Sequence, residues 1–119
     1  LPIIGDGNQV RCFTWIDEVA AAIADHSFSN KTDNQTYNLG NPEPISMRVL
    51  AEKIKDIAVK EYRLFDDYFL LYDTVGNYEN DVLVRIPDCE KAERELGWKA
   101  KMKVDDSIRM CLKHVVEKR

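Results

Sequence analysis

No cysteine pair in this sequence is spaced for chemistry. The 119 residues hold three cysteines, Cys12, Cys89 and Cys111, and no C-x-x-C. That excludes a zinc ribbon and a thioredoxin-type redox motif. An odd set of scattered thiols fits the buried, reduced cysteines of a cytoplasmic protein. The two histidines, His26 and His114, stand near no cysteine pair, so no metal site is expected. Basic runs are also lacking. Lys and Arg number 17 against 21 Asp and Glu, a net charge of −4. Nucleic-acid binding needs clustered cations against backbone phosphates, and this chain has none. No apolar run approaches the ~20 residues that cross a bilayer. No signal peptide is visible. The text opens at Leu1 as if within a strand, which is the expectation for a fragment of a longer protein.

Several catalytic signatures are missing as well. Gly5 and Gly7 make a lone G-x-G, and Val10 occupies the place of the third glycine of a dinucleotide fingerprint. The pair sits in an expected turn between strands, not between a strand and a helix. There is no P-loop and no G-x-S-x-G nucleophile elbow.

What is present is a small, mixed pattern. With 45% hydrophobic residues, one modest core is possible. Leu1–Ile4 and Val10–Phe13 read as short strands joined by the turn Gly5-Asp6-Gly7-Asn8, a candidate hairpin. Trp15, Val19 and Ile23 recur at helical spacing, with Asp17 and Glu18 in the first turn where the helix dipole favours them, so a helix should run to about His26. Thr36–Leu39 reads as a brief strand. Ser46 is a candidate N-cap, with Ile45 and Leu50 placed as a hydrophobic staple, for a helix to about Lys60 carrying Met47, Leu50, Ile54 and Ile57 on one face. Tyr68–Tyr72 is a candidate buried strand, and Asp73 to Asn80 reads as loop. A short helix should follow Pro87 and Asp88 and end at Leu96, with Gly97 as its C′ residue. A last helix from about Asp105 carries Ile108, Cys111, Leu112, Val115 and Val116 as its stripe. The fold class is α+β, one small domain over residues 1–119, of short strands and about four helices.

Two arginines have the chemistry to recognise an anion. Arg11 lies in the second strand with Gln9 two residues before it, on one strand face. Arg85 interrupts the apolar stretch Val82-Leu83-Val84-Arg85-Ile86-Pro87. Forked guanidinium donors match the clustered acceptors of a diphosphate. Taken singly, each arginine fits a solvated surface cation as well.

The segment from Gly5 through Gln9, Arg11, Phe13 and Trp15 to Val19 resembles G-x-G-x-Q-x-R-x-[FW]-x-[YH]-V-x-D of the NAD-dependent epimerase/dehydratase family, the extended short-chain dehydrogenases that act on nucleotide sugars. Trp15, Ile16 and Glu18 are mild departures. Tyr37 to Glu43 is similar to the family's YNLGNPE segment. Arg85-Ile86-Pro87-Asp88, Lys91-Ala92 and Leu96-Gly97-Trp98 resemble R-x-P-D-x-x-K-A-x-x-x-L-G-W. The motifs come in family order over nearly the whole chain.

The resemblance implies the carboxy-terminal, substrate-binding portion of such an enzyme, without its Rossmann half. It assigns Arg11 and Arg85 to the diphosphate of a nucleotide-diphosphate sugar, places Asn38 near the nucleotide, and sets Gln9 beside Arg11. It puts Pro2 to Ile4 along the base, where Ile4 offers apolar packing in place of the aromatic of many relatives. The family oxidises its sugar at C4 with NAD, assisted by a Tyr-x-x-x-Lys pair. None of Tyr37, Tyr62, Tyr68, Tyr72 and Tyr78 has Lys four residues on. NAD and catalysis are therefore expected in an amino-terminal Rossmann half, and this chain should bind no NAD. The whole enzyme is expected to be a cytoplasmic homodimer that epimerises, dehydrates or decarboxylates its substrate. Two readings stand beside this one: a non-catalytic nucleotide-sugar or protein-interaction module, and a plain structural domain.

Overall fold

A computed structural model of the chain describes residues 2–64, 73–75 and 80–118. Among the described residues the elements are β1 (Pro2–Ile4), β2 (Val10–Cys12), α1 (Ile16–His26), a 3-10 turn (Asn30–Thr32), β3 (Pro44–Ser46), α2 (Met47–Tyr62), β4 (Asp73–Val75), α3 (Glu90–Leu96) and α4 (Val104–Glu117). Short strands with four α-helices make an α+β fold. The chain divides into two compact units, each drawn from separate stretches. The first holds residues 1–11, 45–85 and 105–119, and the second holds 12–44 and 86–104.

In the first unit, β1 runs parallel to β4 in the register Pro2↔Asp73, Ile3↔Thr74, Ile4↔Val75. β2 pairs instead with β3. The expected hairpin of the first two strands is therefore absent, and the reason lies in the turn between them. Its carbonyls serve a helix. Gly7 O accepts from Arg48 N–H at 3.0 Å and Gln9 O accepts from Met47 N–H at 3.1 Å. Ser46 Oγ accepts from Val49 N–H at 3.3 Å. Together these satisfy donors that α2 leaves open at its start. Gly7 is required here. Its φ is +77°, and a Cβ would lie 3.2 Å from Ile3 Cγ2 and 3.4 Å from Arg48 Cβ.

Ile45 is buried as the staple pattern expects, with Ile3, Ala51, Ile57, Ala58 and Ile108. α2 ends at Arg63, whose φ of 51° is left-handed. α4 is fastened to α2 by polar contacts. Tyr62 OH donates to Arg109 O at 3.0 Å, Arg109 Nε meets Glu61 at 2.9 Å, and Lys53 Nζ meets Asp105 at 2.7 Å. The α4 stripe is only half used. Ile108 is buried, whereas Cys111, Val115 and Val116 are exposed. Residues 73–75, expected as loop, form a strand because β1 offers them a partner. The expected strand at 68–72 lies outside the described residues.

The second unit centres on Ala22, Ala92 and Val104, all buried. Asn41, its one buried polar side chain among the described residues, is satisfied on every side. Its backbone N–H donates to Thr14 Oγ1 at 2.9 Å, its Nδ2 donates to Met102 O at 3.2 Å, and its Oδ1 accepts from Glu43 N–H at 3.0 Å. Glu18, in the first turn of α1, accepts from Lys101 N–H at 2.7 Å and Met102 N–H at 3.1 Å. α3 starts where Asp88 Oδ1 accepts from Glu90 N–H and stops at Gly97, φ +67°. Residues 36–39, expected as a strand, have no ladder and are not one.

Candidate functional site

The site residues in the first unit are set by one short parallel contact. Val10 N–H donates to Leu83 O at 2.7 Å, and Arg85 N–H donates to Val10 O at 3.1 Å. Val10 and Val84 are thereby bridged in parallel. In extended chains so paired, successive residues alternate faces and opposed residues share one. Arg11 and Arg85, the next residues on each chain, become lateral neighbours roughly 5 Å apart at the backbone.

Their side chains differ in environment. Arg11 Nη2 forms an ion pair with Asp81 Oδ1 at 2.8 Å, and Nη1 donates to Val10 O at 2.8 Å. The two side chains of that pair are 23% and 33% exposed. Arg85 is exposed and makes no ion pair or side-chain hydrogen bond among the described residues. Among the described residues Arg11 is thus paired and Arg85 is not. Asp81, the partner of Arg11, was not singled out from the sequence. It stands 70 positions from Arg11, and no pattern announces the pairing.

The other expected site residues are placed as follows. Gln9 precedes β2, and its carbonyl caps α2. Ile4 closes β1 opposite Val75. Asn38 belongs to the second unit, where its Nδ2 donates to Asp88 O at 2.9 Å. Nearby, Tyr37 OH donates to Glu95 Oε2 at 3.0 Å while Lys91 Nζ stands 4.6 Å above its ring. Partial burial, followed by the Glu95 contact, holds the Tyr37 phenol above its ordinary value. Arg94, then the Tyr37 hydroxyl, holds the Glu95 carboxyl below its ordinary value.

The second unit also carries a hollow of about 420 Å³ walled by Pro42, Pro87, Cys89 and Trp98 and rimmed by Asp88, Glu90 and Glu93. Its lining sets three carboxylates against one cation, Lys99, a net negative charge that disfavours a diphosphate, and neither Arg11 nor Arg85 lines it. Burial raises the Cys89 thiol, which donates to Gly40 O at 3.3 Å, and likewise raises Cys12. Such thiols are poor nucleophiles.

Among the described residues no helix opens on a glycine-rich turn. A dinucleotide pyrophosphate needs glycine-rich backbone amides at a helix start. The turn holding Gly5 and Gly7 offers α2 its carbonyls instead. α1 begins after Trp15, with no glycine at its entry.

These features define an α+β piece of the extended short-chain dehydrogenase fold. The model of the GDP-mannose 4,6 dehydratase family matches residues 1–111, and the chain belongs to that family of NAD-dependent epimerases/dehydratases. It is 25% identical over 108 residues to UDP-glucuronic acid decarboxylase 1 of Arabidopsis thaliana, covering 91% of this chain and 22% of that one. It is 23% identical to the UDP-glucuronic acid decarboxylase 1 of Danio rerio, covering 96% of this chain and 25% of that one. Among solved structures, UDP-glucuronic acid 4-epimerase from Bacillus cereus superposes with a TM-score of 0.83 at 19% identity, over 100% of this chain and 36% of its own. UDP-glucose 4-epimerase of Thermotoga maritima gives 0.80 at 22% identity, over 99% of this chain and 35% of its own. The chain spans about a quarter of the length of the curated relatives it matches.

Proposed function

We propose that this chain is the nucleotide-sugar-binding portion, residues 1–119, of an NAD-dependent epimerase, dehydratase or decarboxylase. The observation that carries the reading is the parallel contact of Val10 with Val84, which sets Arg11 beside Arg85. Two neighbouring guanidinium groups offer forked donors to the several oxygens of a diphosphate. Gln9 adds an amide donor, and Ile4 adds an apolar contact for the base. NAD and the Tyr-x-x-x-Lys pair belong to an amino-terminal Rossmann half, and the assembled enzyme is a cytoplasmic homodimer.

The test is a calorimetric titration of the whole enzyme with uridine diphosphate and with uridine. Arg11→Ala should weaken diphosphate binding roughly ten- to a hundredfold, the loss of one charge-assisted pair. Arg11→Lys should recover part of that, because an ammonium keeps the charge but not the fork. Uridine should be nearly indifferent to both. Unchanged diphosphate affinity in Arg11→Ala, or an equal loss for uridine, would sink the reading.

A further inference from the structure

The two neighbouring arginines of the first unit start from different states. Both Nη atoms of Arg11 are engaged, Nη1 with Val10 O and Nη2 with Asp81 Oδ1, each at 2.8 Å. Arg85 is exposed, and its side chain makes no ion pair or hydrogen bond among the described residues. An arriving anion therefore meets Arg85 as a solvated cation with open donors. It meets Arg11 as a cation whose outer nitrogen already holds a carboxylate.

The hold of Asp81 on Arg11 is weak. Asp81 uses one of its two oxygens, and its side chain makes no other bond among the described residues. Both partners reach solvent, so water screens the pair, and the paired state outweighs the open one by at most about fivefold. Asp81 also lies two residues before Leu83, where the backbone contact with Val10 begins. Its carboxylate can leave Arg11 without breaking the bridge of Val10 and Val84 that sets Arg11 beside Arg85.

We propose that a nucleoside diphosphate group enters this site in a fixed order. It lands on Arg85 first, and then takes Arg11 from Asp81, the resident anion of the second position. The inference deepens the reading above that Arg11 and Arg85 bind a diphosphate, and rests on it. An open charge attracts an anion across solvent, so its loss is read in the association rate. Opposite charges 2.8 Å apart largely cancel at a distance, so Arg11 acts at contact and governs how long the ligand stays. Removing Asp81 then favours the fully engaged state and slows departure without hastening arrival. A ligand that met Arg11 directly would behave otherwise. Asp81 would hold part of the protein closed to it, and removing Asp81 would speed arrival.

The test is stopped-flow binding of uridine diphosphate, fluorescently labelled on its ribose, to the whole enzyme. Arg85→Ala should slow association about threefold or more, and Arg85→Lys, which keeps the charge, should slow it less. Association of the parent should fall more steeply with added sodium chloride than that of Arg85→Ala. Asp81→Asn should leave association unchanged and slow dissociation roughly two- to fivefold. The proposal is overturned if Asp81→Asn speeds association or leaves dissociation unchanged, or if Arg85→Ala associates as fast as the parent. Equilibrium titration of Arg11→Ala separates the two readings. Undiminished diphosphate affinity there removes the substrate-site reading itself. A clear loss there, together with faster association in Asp81→Asn, removes the order of entry alone.

Discussion

Replacing Glu18 should cost the fold more than any other exposed or half-exposed carboxylate described. Its Oε1 accepts from Lys101 N–H at 2.7 Å and Met102 N–H at 3.1 Å, and its Oε2 lies 3.2 Å from the Met102 N–H. These bonds close gaps of 83 and 84 positions in sequence. Hydrogen bonds to a charged group contribute about 1.5–3 kcal/mol each, and less where water reaches them. Two such bonds at a half-buried carboxylate give about 2–4 kcal/mol for Glu18→Ala. That is a large share of the ~5–15 kcal/mol that holds a domain together. Glu18→Gln keeps one acceptor oxygen without the charge and should cost about half as much. Urea unfolding followed by circular dichroism measures both. A loss below about 0.5 kcal/mol in Glu18→Ala would refute the argument, since that is the range of an ordinary surface change. Equal losses for Gln and Ala would refute it too, by showing that charge and acceptor do not matter.

On the proposed role of Arg11, Asp81 should oppose the ligand, because a diphosphate would have to displace it from Arg11. An ion pair this open contributes about 0.2–1 kcal/mol, so Asp81→Asn should tighten uridine diphosphate binding by up to about fivefold; unchanged or weaker binding in the same titration shows that Asp81 is no competitor. The thiols make a further case. Burial raises Cys12 and Cys89, whereas Cys111 is exposed, so iodoacetamide at pH 8 should modify Cys111 first. Mass spectrometry of the alkylated peptides checks the order, and early labelling of Cys12 or Cys89 contradicts their placement.

The helices were legible because their signals are local. Ser46 and Gly97 act at the positions their residue types announce, and the apolar spacing of α2 falls where the chain is covered, whereas Ile23 of the α1 stripe is exposed. Strand pairing was not legible, because strands of three residues carry too little pattern to name a partner. β1 pairs with β4 across the chain, and the turn that looked like a hairpin is used by α2. The segment 36–39 shows the limit from the other side. Its residues have the alternation of a strand, but a strand exists only with a ladder, and no described residue supplies one. Arg11 and Arg85 could be singled out by residue type and resemblance. Their adjacency could not, since it depends on a bridge between Val10 and Val84 that no local rule encodes. The same distance hid Asp81.

The interleaving of the two units has a consequence for synthesis. The chain leaves the first unit after Arg11, returns at Ile45, leaves after Arg85 and returns at Asp105. Neither unit is a continuous stretch, so neither can be cut out with two breaks and kept whole. On the ribosome, growing at about 5–20 residues per second, the first unit waits for residues 105–119 before it can close. Ile108, one of its buried side chains, reaches it only from residues 105–119, made after every residue of the second unit. A stall before residue 105 would therefore strand the Arg11 edge and the α2 face open together, with every residue of the second unit already made.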